Sequence, residues 1–354
     1  MAELPPARAP RPAWRAAVRP VATLLVAWLL YRLVTRLVGT VDWAAVGAAL
    51  GRLDPWVALP LGVALVARQV LNAVPLTRFL PGLSLWRSTE NDLTANLVAT
   101  VAPPPADVAV RIAMFRSWGL DPVLGMTGVT LNSVKFYAVR FAVPVLGLAL
   151  LAEHGLERRQ WLAGAACGVA AAAVLVGLVL LVRGERLAAR LGRTAGRVAH
   201  RVRPSVDPAA WAARTVQLQG QTAQSLRTGL LPSMVALTGM VLADATVLLL
   251  ALRFVGVGPG PLPATLVVGA FLLLYPLTIL PLFGFGVLDA LLLGWLVTAS
   301  GPAAEPGIVA AIAVWRVVTI LGTLVLGAAA LGSWRWRTRA VSAPASAAPP
   351  APGT

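Results

Sequence analysis

The sequence has almost none of the residues from which metal sites and disulfides are built. Its 354 residues include one cysteine, Cys167, and two histidines, His154 and His200. A single cysteine excludes an intrachain disulfide and a cysteine metal cluster. Neither histidine has a partner histidine at the spacing that zinc sites need. We therefore expect a chain that binds no metal and no cofactor.

Charged residues are also scarce, and most of them have the same sign. They make up 12% of the chain, with 30 basic and 14 acidic residues, whereas 58% of all residues are hydrophobic. The mean hydropathy of +0.78 is far too high for a soluble globular protein. Nucleic-acid binding is excluded because it would need a soluble basic face. We predict an all-α, polytopic membrane bundle of about seven to eight spans.

The arginines crowd beside the apolar runs, which is the pattern of residues that stay on the cytoplasmic side of a membrane. We interpret the first apolar run as an uncleaved anchor, because it has no clear small-residue cleavage site. Both termini and the central linker are then cytoplasmic, and the protein lies in the inner membrane. The predicted segments are a disordered tail (1–20), a first transmembrane half (21–182), a basic linker (183–228), a second transmembrane half (229–335) and a disordered tail (336–354).

A first break interrupts the apolar run of residues 96–120. Three consecutive prolines stop this run, and it resumes with Asp107 and Arg111. Proline cannot continue a helix, and non-helical backbone at membrane depth survives only inside protein or beside water. The run from Leu93 to Ala102 is about half the roughly 20 residues that a span needs. We therefore predict a re-entrant hairpin that turns at the prolines.

A second break lies near the other end of the chain. Pro281, Gly284 and Gly286 interrupt the apolar run of residues 277–295, and Asp289 follows them. The flanking runs form either two tilted spans or the arms of a second hairpin. Paired interruptions in the two halves of a membrane chain are a sequence signature of a transport site.

Further charged residues lie inside apolar runs, where each costs on the order of 3 kcal/mol to insert. Both signs occur, which indicates a hydrophilic cavity suited to a charged or sugar-bearing lipid head group. The alternative is that these residues pair with one another and hold the bundle together. Arg316, for example, could neutralise either Asp289 or Asp244. The candidate substrate-binding residues are Asn96, Pro103, Pro104, Asp107, Arg111, Lys135, Arg140, Asp244, Gly284, Gly286, Asp289 and Arg316.

The linker between the two halves carries six arginines at spacings of three and four. This spacing puts them on one face of a helix, beside leucine and valine residues, as in an amphipathic helix that lies on a membrane. We expect this face to contact anionic lipid. The alternative is a solvated loop without a specific ligand. The six residues are Arg183, Arg186, Arg190, Arg193, Arg197 and Arg201.

The order and spacing of these motifs resemble the transmembrane flippase-like domain of lysylphosphatidylglycerol synthases and its stand-alone relatives. The resemblance rests on the proline loop with Asp107 and Arg111, the FGFGVLDA loop with Asp289, and Arg316 in the last span. It covers roughly residues 20–335.

This resemblance implies movement of a lipid, such as an aminoacylated phosphatidylglycerol or a polyprenyl-linked sugar, between leaflets. It does not imply synthesis, because the residues after Arg339 are too few for the soluble transferase domain of the synthases. We therefore expect a transporter and not an enzyme. The alternative is a non-transporting scaffold for a glycosyltransferase or a lipid-modifying enzyme. Asn132 and Ser133, which stand where relatives usually have an acidic and a basic residue, favour that alternative.

Overall fold

The structure, a computed structural model, describes residues 43–51, 53–183, 208–280 and 286–342. All the regular elements in these ranges are helical, which confirms the all-α class. The helices are α1 (Trp43–Leu50), α2 (Ala58–Phe79), α3 (Leu85–Val101), α4 (Ala106–Ser117), α5 (Pro122–Leu151), α6 (Arg158–Arg183), α7 (Pro208–Phe254), α8 (Ala264–Leu274), α9 (Val287–Ser300), α10 (Glu305–Arg316) and α11 (Thr323–Ser342).

Five stretches of the described chain are long and apolar enough to cross a membrane. They are Pro55–Phe79, Pro122–His154, Arg158–Leu178, Gly229–Phe254 and Pro302–Thr338. Two shorter apolar stretches, Ala264–Ile279 and Val287–Ser300, flank the second break. The predicted polytopic helical bundle is therefore confirmed. The expected first span, in residues 21–41, lies outside the described residues.

Helix α7 is longer than the span predicted in this region. It begins at Pro208 and continues without interruption for 47 residues, through the polar stretch Gln217–Gln224. The later part of the predicted linker is therefore a helical extension of the span at Gly229–Phe254. Residues 184–207, with five of the six linker arginines, lie outside the described residues, so the amphipathic helix stays a prediction.

The first break lies where the sequence predicts it, but the helix before it is longer. Helix α3 begins at Leu85, eight residues before the predicted start at Leu93, because Ser84 caps it by accepting the N–H of Arg87 at 3.3 Å. The first turns of α3 are polar, and they are helical because their side chains bind partners inside the protein, as Glu90 does with Arg337. The helix ends at Val101, and the prolines separate it from α4.

The core of the bundle surrounds α7, which packs against α2, α5, α8 and α10. Leu248 of α7, Phe271 of α8 and Leu292 of α9 are fully buried in one hydrophobic cluster. Trp315 of α10 packs edge-on against Phe271, with 5.5 Å between the ring centroids. Helices α3 and α4 lie at one side of this core, where α3 contacts α2 and α11.

Glycine allows α5 and α8 to approach each other at the backbone. A Cβ atom at Gly147 would lie 2.8 Å from the carbonyl oxygen of Gly269 and 2.9 Å from the nitrogen of Leu273. A Cβ atom at Gly269 would in turn lie 2.7 Å from Leu151. Small residues permit this close packing of membrane helices. The contact fixes α8, and with it the segment that leads to the second break.

The same substitution should therefore have opposite effects at two glycines. We expect Gly147→Ala to destabilise the protein by about 1–3 kcal/mol, because the added methyl group would overlap backbone atoms of α8. Gly177→Ala is the matched control, since nothing lies within 4 Å of its added Cβ, and it should be neutral or stabilising by up to about 1 kcal/mol. Melting temperatures in one detergent test both. A stabilised Gly147→Ala protein would contradict the close approach.

Candidate functional site

An ion pair closes the first break. The guanidinium of Arg111 on α4 donates to the carboxylate of Asp92 on α3 at 2.8 Å and to the side-chain oxygen of Asn91 at 2.7 Å. The amide of Asn91 also lies 3.7 Å from the sulfur of Met114. These contacts join residues on both sides of the prolines, so α3 and α4 form an antiparallel hairpin.

The partner of Arg111 is not the carboxylate that stands nearest to it in the sequence. Asp107 lies in the first turn of α4, where a carboxylate interacts favourably with the positive end of the helix dipole. Asn96, Pro103 and Pro104 are exposed on the surface of the hairpin. Five of the predicted substrate-binding residues lie in this segment, and of these five it is Arg111 that forms an ion pair with α3.

Helix α2 connects the hairpin to the centre of the bundle. The amide of Asn72 donates a hydrogen bond to the carboxylate of Asp92. One turn earlier, Nε of Arg68 lies 3.4 Å from Oδ2 of Asp244 on α7. Because residues 68 and 72 are four apart, they share one face of α2. That face therefore contacts an acidic residue on each of two neighbouring helices.

Another ion pair lies just after the second break and joins α9 to α10. The guanidinium of Arg316 contacts Oδ1 of Asp289 through Nε at 2.8 Å and through Nη2 at 2.7 Å. The other carboxylate oxygen accepts the backbone N–H of Gly286 at 2.9 Å. Gly286 has a φ of +86°, a value that favours glycine over other residues. Gly284, the other predicted glycine of this break, lies outside the described residues.

Trp315 connects the second break to the same centre. Its indole N–H donates to Oδ1 of Asp244 at 2.9 Å, and the guanidinium carbon of Arg316 lies 4.3 Å from its ring centroid. A π-helical turn, Val317–Gly322, follows directly. Such turns occur frequently at functional sites. Two networks lie beside the same face of α2, one of Asn72, Asp92 and Arg111 and one of Arg68, Asp244, Asp289, Trp315 and Arg316, and we call the two together the polar centre.

Two residues of the polar centre lie well inside candidate membrane spans. Arg68 is near the middle of the stretch Pro55–Phe79, and Asp244 lies inside Gly229–Phe254. At that depth an isolated charge is costly, and a nearby opposite charge offsets part of the cost. Each carboxylate of the centre has an arginine and at least one further hydrogen-bond donor.

Two more predicted residues, Lys135 and Arg140, are buried on α5. Lys135 is 2% exposed, and its Nζ lies 3.3 Å from the hydroxyl of Ser233. Arg140 is 8% exposed, and its guanidinium carbon lies 4.6 Å from the ring centroid of Phe136. Among the described residues, no group of three or more histidine, cysteine, aspartate or glutamate side chains is placed to hold a metal ion.

Sequence reasoning missed half of the polar centre. Arg68 and Asn72 have a detectable signal, because two polar residues four apart on an otherwise apolar helix share a face. Asp92 lies in a polar stretch that resembles a loop, and its pairing with Arg111 needs the hairpin to be known. Trp315 acts through its indole N–H, which an apolar sequence pattern does not reveal.

A family model described as the lysylphosphatidylglycerol synthase TM region matches residues 19–327. The chain belongs to this family. No curated protein matches it. The matched region of this family member contains both breaks and every residue of the polar centre, so the resemblance inferred from the motifs is confirmed.

Neutralising one partner of the Asp289–Arg316 pair should be worse than neutralising both. We expect Arg316→Gln or Asp289→Asn alone to cost about 3–5 kcal/mol, because each leaves one buried charge without its counter-charge. The double variant should recover most of that loss. Melting temperatures of the four proteins form the double-mutant cycle.

The control is the exposed pair Glu157–Arg159, whose loss should cost less than about 1 kcal/mol. Additive losses at Asp289 and Arg316 would show that the two side chains do not stabilise each other.

Proposed function

We propose that this family member binds a lipid with a polar head group and moves it between leaflets, and that it catalyses no reaction. The observation that supports this proposal is the polar centre itself. It joins both broken segments to α2, α7 and α10, at the depth that a head group must pass to cross a membrane. A broken helix at mid-membrane is the arrangement that transporters use for polar substrates.

The ion pairs provide a physical route for such a passage. A head group with charged or hydroxyl groups can replace one partner of Asp92–Arg111 or Asp289–Arg316, so that the paired helices separate without exposing a bare charge to lipid. The aligned peptide dipoles at the starts of α4 and α9 add partial positive charge beside both breaks. We propose that the first hairpin (α3 and α4) is re-entrant, and that this hairpin and α9 move as units while α2 and α7 stay fixed.

The protein's location follows from the arginine distribution. We propose that it lies in the inner membrane with both termini on the cytoplasmic side, as the arginines beside the spans indicate. The linker arginines 183–201 would then face the anionic lipids of the cytoplasmic leaflet.

A second function is supported by a different observation. Three arginines of the polar centre already have carboxylate partners, so these charges need no ligand to be neutralised. A bundle of this kind suits a non-transporting scaffold that holds a glycosyltransferase or a lipid-modifying enzyme at the membrane. If the protein is a scaffold, loss of the ion pairs should change its stability and should have no effect on lipid movement.

Lipid movement in proteoliposomes separates the two functions. A fluorescent lipid that starts in the inner leaflet should reach a quencher added outside the vesicles. This should happen faster in vesicles that contain the protein than in protein-free vesicles. The double variant Asp92→Asn/Arg111→Gln replaces the ion pair with two neutral side chains. It should slow the movement of the lipid to the outer leaflet about tenfold or more, since the loss of an interaction worth about 1.4 kcal/mol in the transition state lowers a rate tenfold.

The matched control is Glu157→Gln/Arg159→Gln, which removes an exposed pair and should leave the rate unchanged. Exposure at the protein-free rate for every lipid tested would refute transport and favour the scaffold.

A further inference from the structure

The last candidate span, Pro302–Thr338, is not one continuous α-helix. The π-helical turn Val317–Gly322, which we call the π turn, lies between α10 and α11. In a π turn each N–H bonds five residues back and not four, so the turn contains about one residue more than an α-helical turn. The regular hydrogen-bond pattern of the span is therefore interrupted at this point.

The part of the span before the π turn is bound to the core and to the helix that follows the second break. The indole N–H of Trp315 donates to Asp244 on α7 at 2.9 Å. Nε of Arg316 donates to Asp289 on α9 at 2.8 Å. Helix α10 also packs against both of these helices. Any movement of α10 must therefore involve α7 and α9.

The part after the π turn is bound to both arms of the first hairpin. Arg337 on α11 pairs with Glu90 on α3, whose side chain is fully buried. The indole N–H of Trp334 donates to the hydroxyl of Ser117 on α4 at 2.9 Å. A Cβ atom at Gly327 would lie 2.7 Å from a backbone oxygen of α3, so the two helices are in close contact. Helix α11 and the hairpin should therefore move together.

Hydroxyl groups support the backbone of the π turn. Thr319 donates to the carbonyl of Trp315 at 2.7 Å, and Thr323 donates to the carbonyl of Thr319 at 2.6 Å. Gln69 on α2 donates to the hydroxyl of Thr323 at 2.6 Å. Inside a membrane, threonine side chains satisfy backbone groups that leave the α-helical pattern. These hydroxyls would keep both carbonyls bonded while the backbone pattern of the turn changes.

The surroundings of the π turn leave room for such a change. Val317 and Leu321 are exposed on its outer side, and Val325 is exposed just after it. On its inner side stands Gly322, where an added Cβ would lie 2.6 Å from the side chain of Leu65. With the same chain length, a return to α-helical geometry would rotate α11 by about 100° relative to α10 and shift it by about 1.5 Å along the axis.

We propose that the π turn is a joint, and that its change between π-helical and α-helical geometry moves the first hairpin relative to α9 and α10. Rotations and shifts of packed helices are a common basis of conformational switching. This inference rests on the proposed function, because it says how the broken segments of the same site move relative to each other. The alternative is that the π turn only accommodates one additional residue.

Deletion of Leu321 removes the joint and should preserve the contacts on either side of it. Without the additional residue the span closes to a continuous α-helix, in which Arg316 and Arg337 keep their present directions. The variant should keep or raise its melting temperature. In the proteoliposome assay it should move lipid about tenfold more slowly or worse, since a conformational step can limit turnover. Leu321→Ala keeps the chain length and is the matched control, with an unchanged rate.

A second deletion shows what the loss of a residue does in an uninterrupted helix. Val169 is an exposed residue of α6. Its deletion should lower the melting temperature, because it turns the following part of α6, with the buried Ala171 and Leu178, by about 100°. An equal loss of stability after deletion of Leu321 would show that the π turn is not an additional residue in an otherwise regular span.

The movement itself can be measured without lipid transport. In a Cys167→Ser background, spin labels at position 113 on α4 and position 63 on α2, both exposed, report the distance between the hairpin and α2 in nanodiscs of native lipids. We expect two distances in the protein with the π turn and one distance after deletion of Leu321. Identical distance distributions in the two proteins would overturn the proposal.

A substitution decides the matter if the deletion variant does not fold. Thr319→Val keeps the chain length and removes one hydroxyl that supports the π turn, so it should shift the balance between the two distances and slow lipid movement. Unchanged distances and an unchanged rate in this variant would overturn the proposal.

The two readouts also separate this inference from transport. A folded deletion variant that moves lipid at the original rate would show that the π turn is passive, and the joint would be wrong while transport stands. Two distances in the protein with the π turn and one after the deletion, without lipid movement by either protein, would support the joint and refute transport.

Discussion

The structure depends on the neutralisation of buried arginines. An arginine side chain is always charged, and inside an apolar bundle a carboxylate close by offsets part of the cost of burying that charge. Arg68, Arg111 and Arg316 each have such a carboxylate on another helix. Each ion pair therefore determines which helices are neighbours. The Asp92–Arg111 pair joins the two helices that flank the first break, and the Asp289–Arg316 pair holds α9, which follows the second break, against α10.

Helix α2 has a special part in this arrangement. Its polar face contacts Asp92 on the first hairpin and Asp244 on α7, and Gln69 donates to the hydroxyl of Thr323 at 2.6 Å after the π-helical turn. One helix thus contacts both the first hairpin and the last span. Its other side is exposed, with Leu59 and Val63 at the surface. This amphipathic division is reversed relative to a soluble protein, with polar residues inside and apolar residues outside.

Much of the fold could be predicted from the sequence, because long apolar runs and prolines act locally. The break at residues 103–105 and the ends of α5 follow from such signals, and Asp121 caps α5 by accepting the N–H of Val123. The sequence does not predict in the same way which carboxylate each buried arginine pairs with. Arg316 pairs with Asp289, one of two alternatives, and Arg111 pairs with Asp92 and not Asp107. These choices depend on helix packing between distant parts of the chain.

The central claim is that a lipid head group enters the polar centre, and site-specific photo-crosslinking tests it most directly. A diazirine-bearing amino acid would replace Phe136, which lies beside Arg140, or Val63 on the outer face of α2 as the control. After illumination in native-lipid membranes, mass spectrometry would identify the adducts. The account predicts a captured lipid at both positions. Lipid at position 63 with only protein crosslinks at position 136 would contradict it.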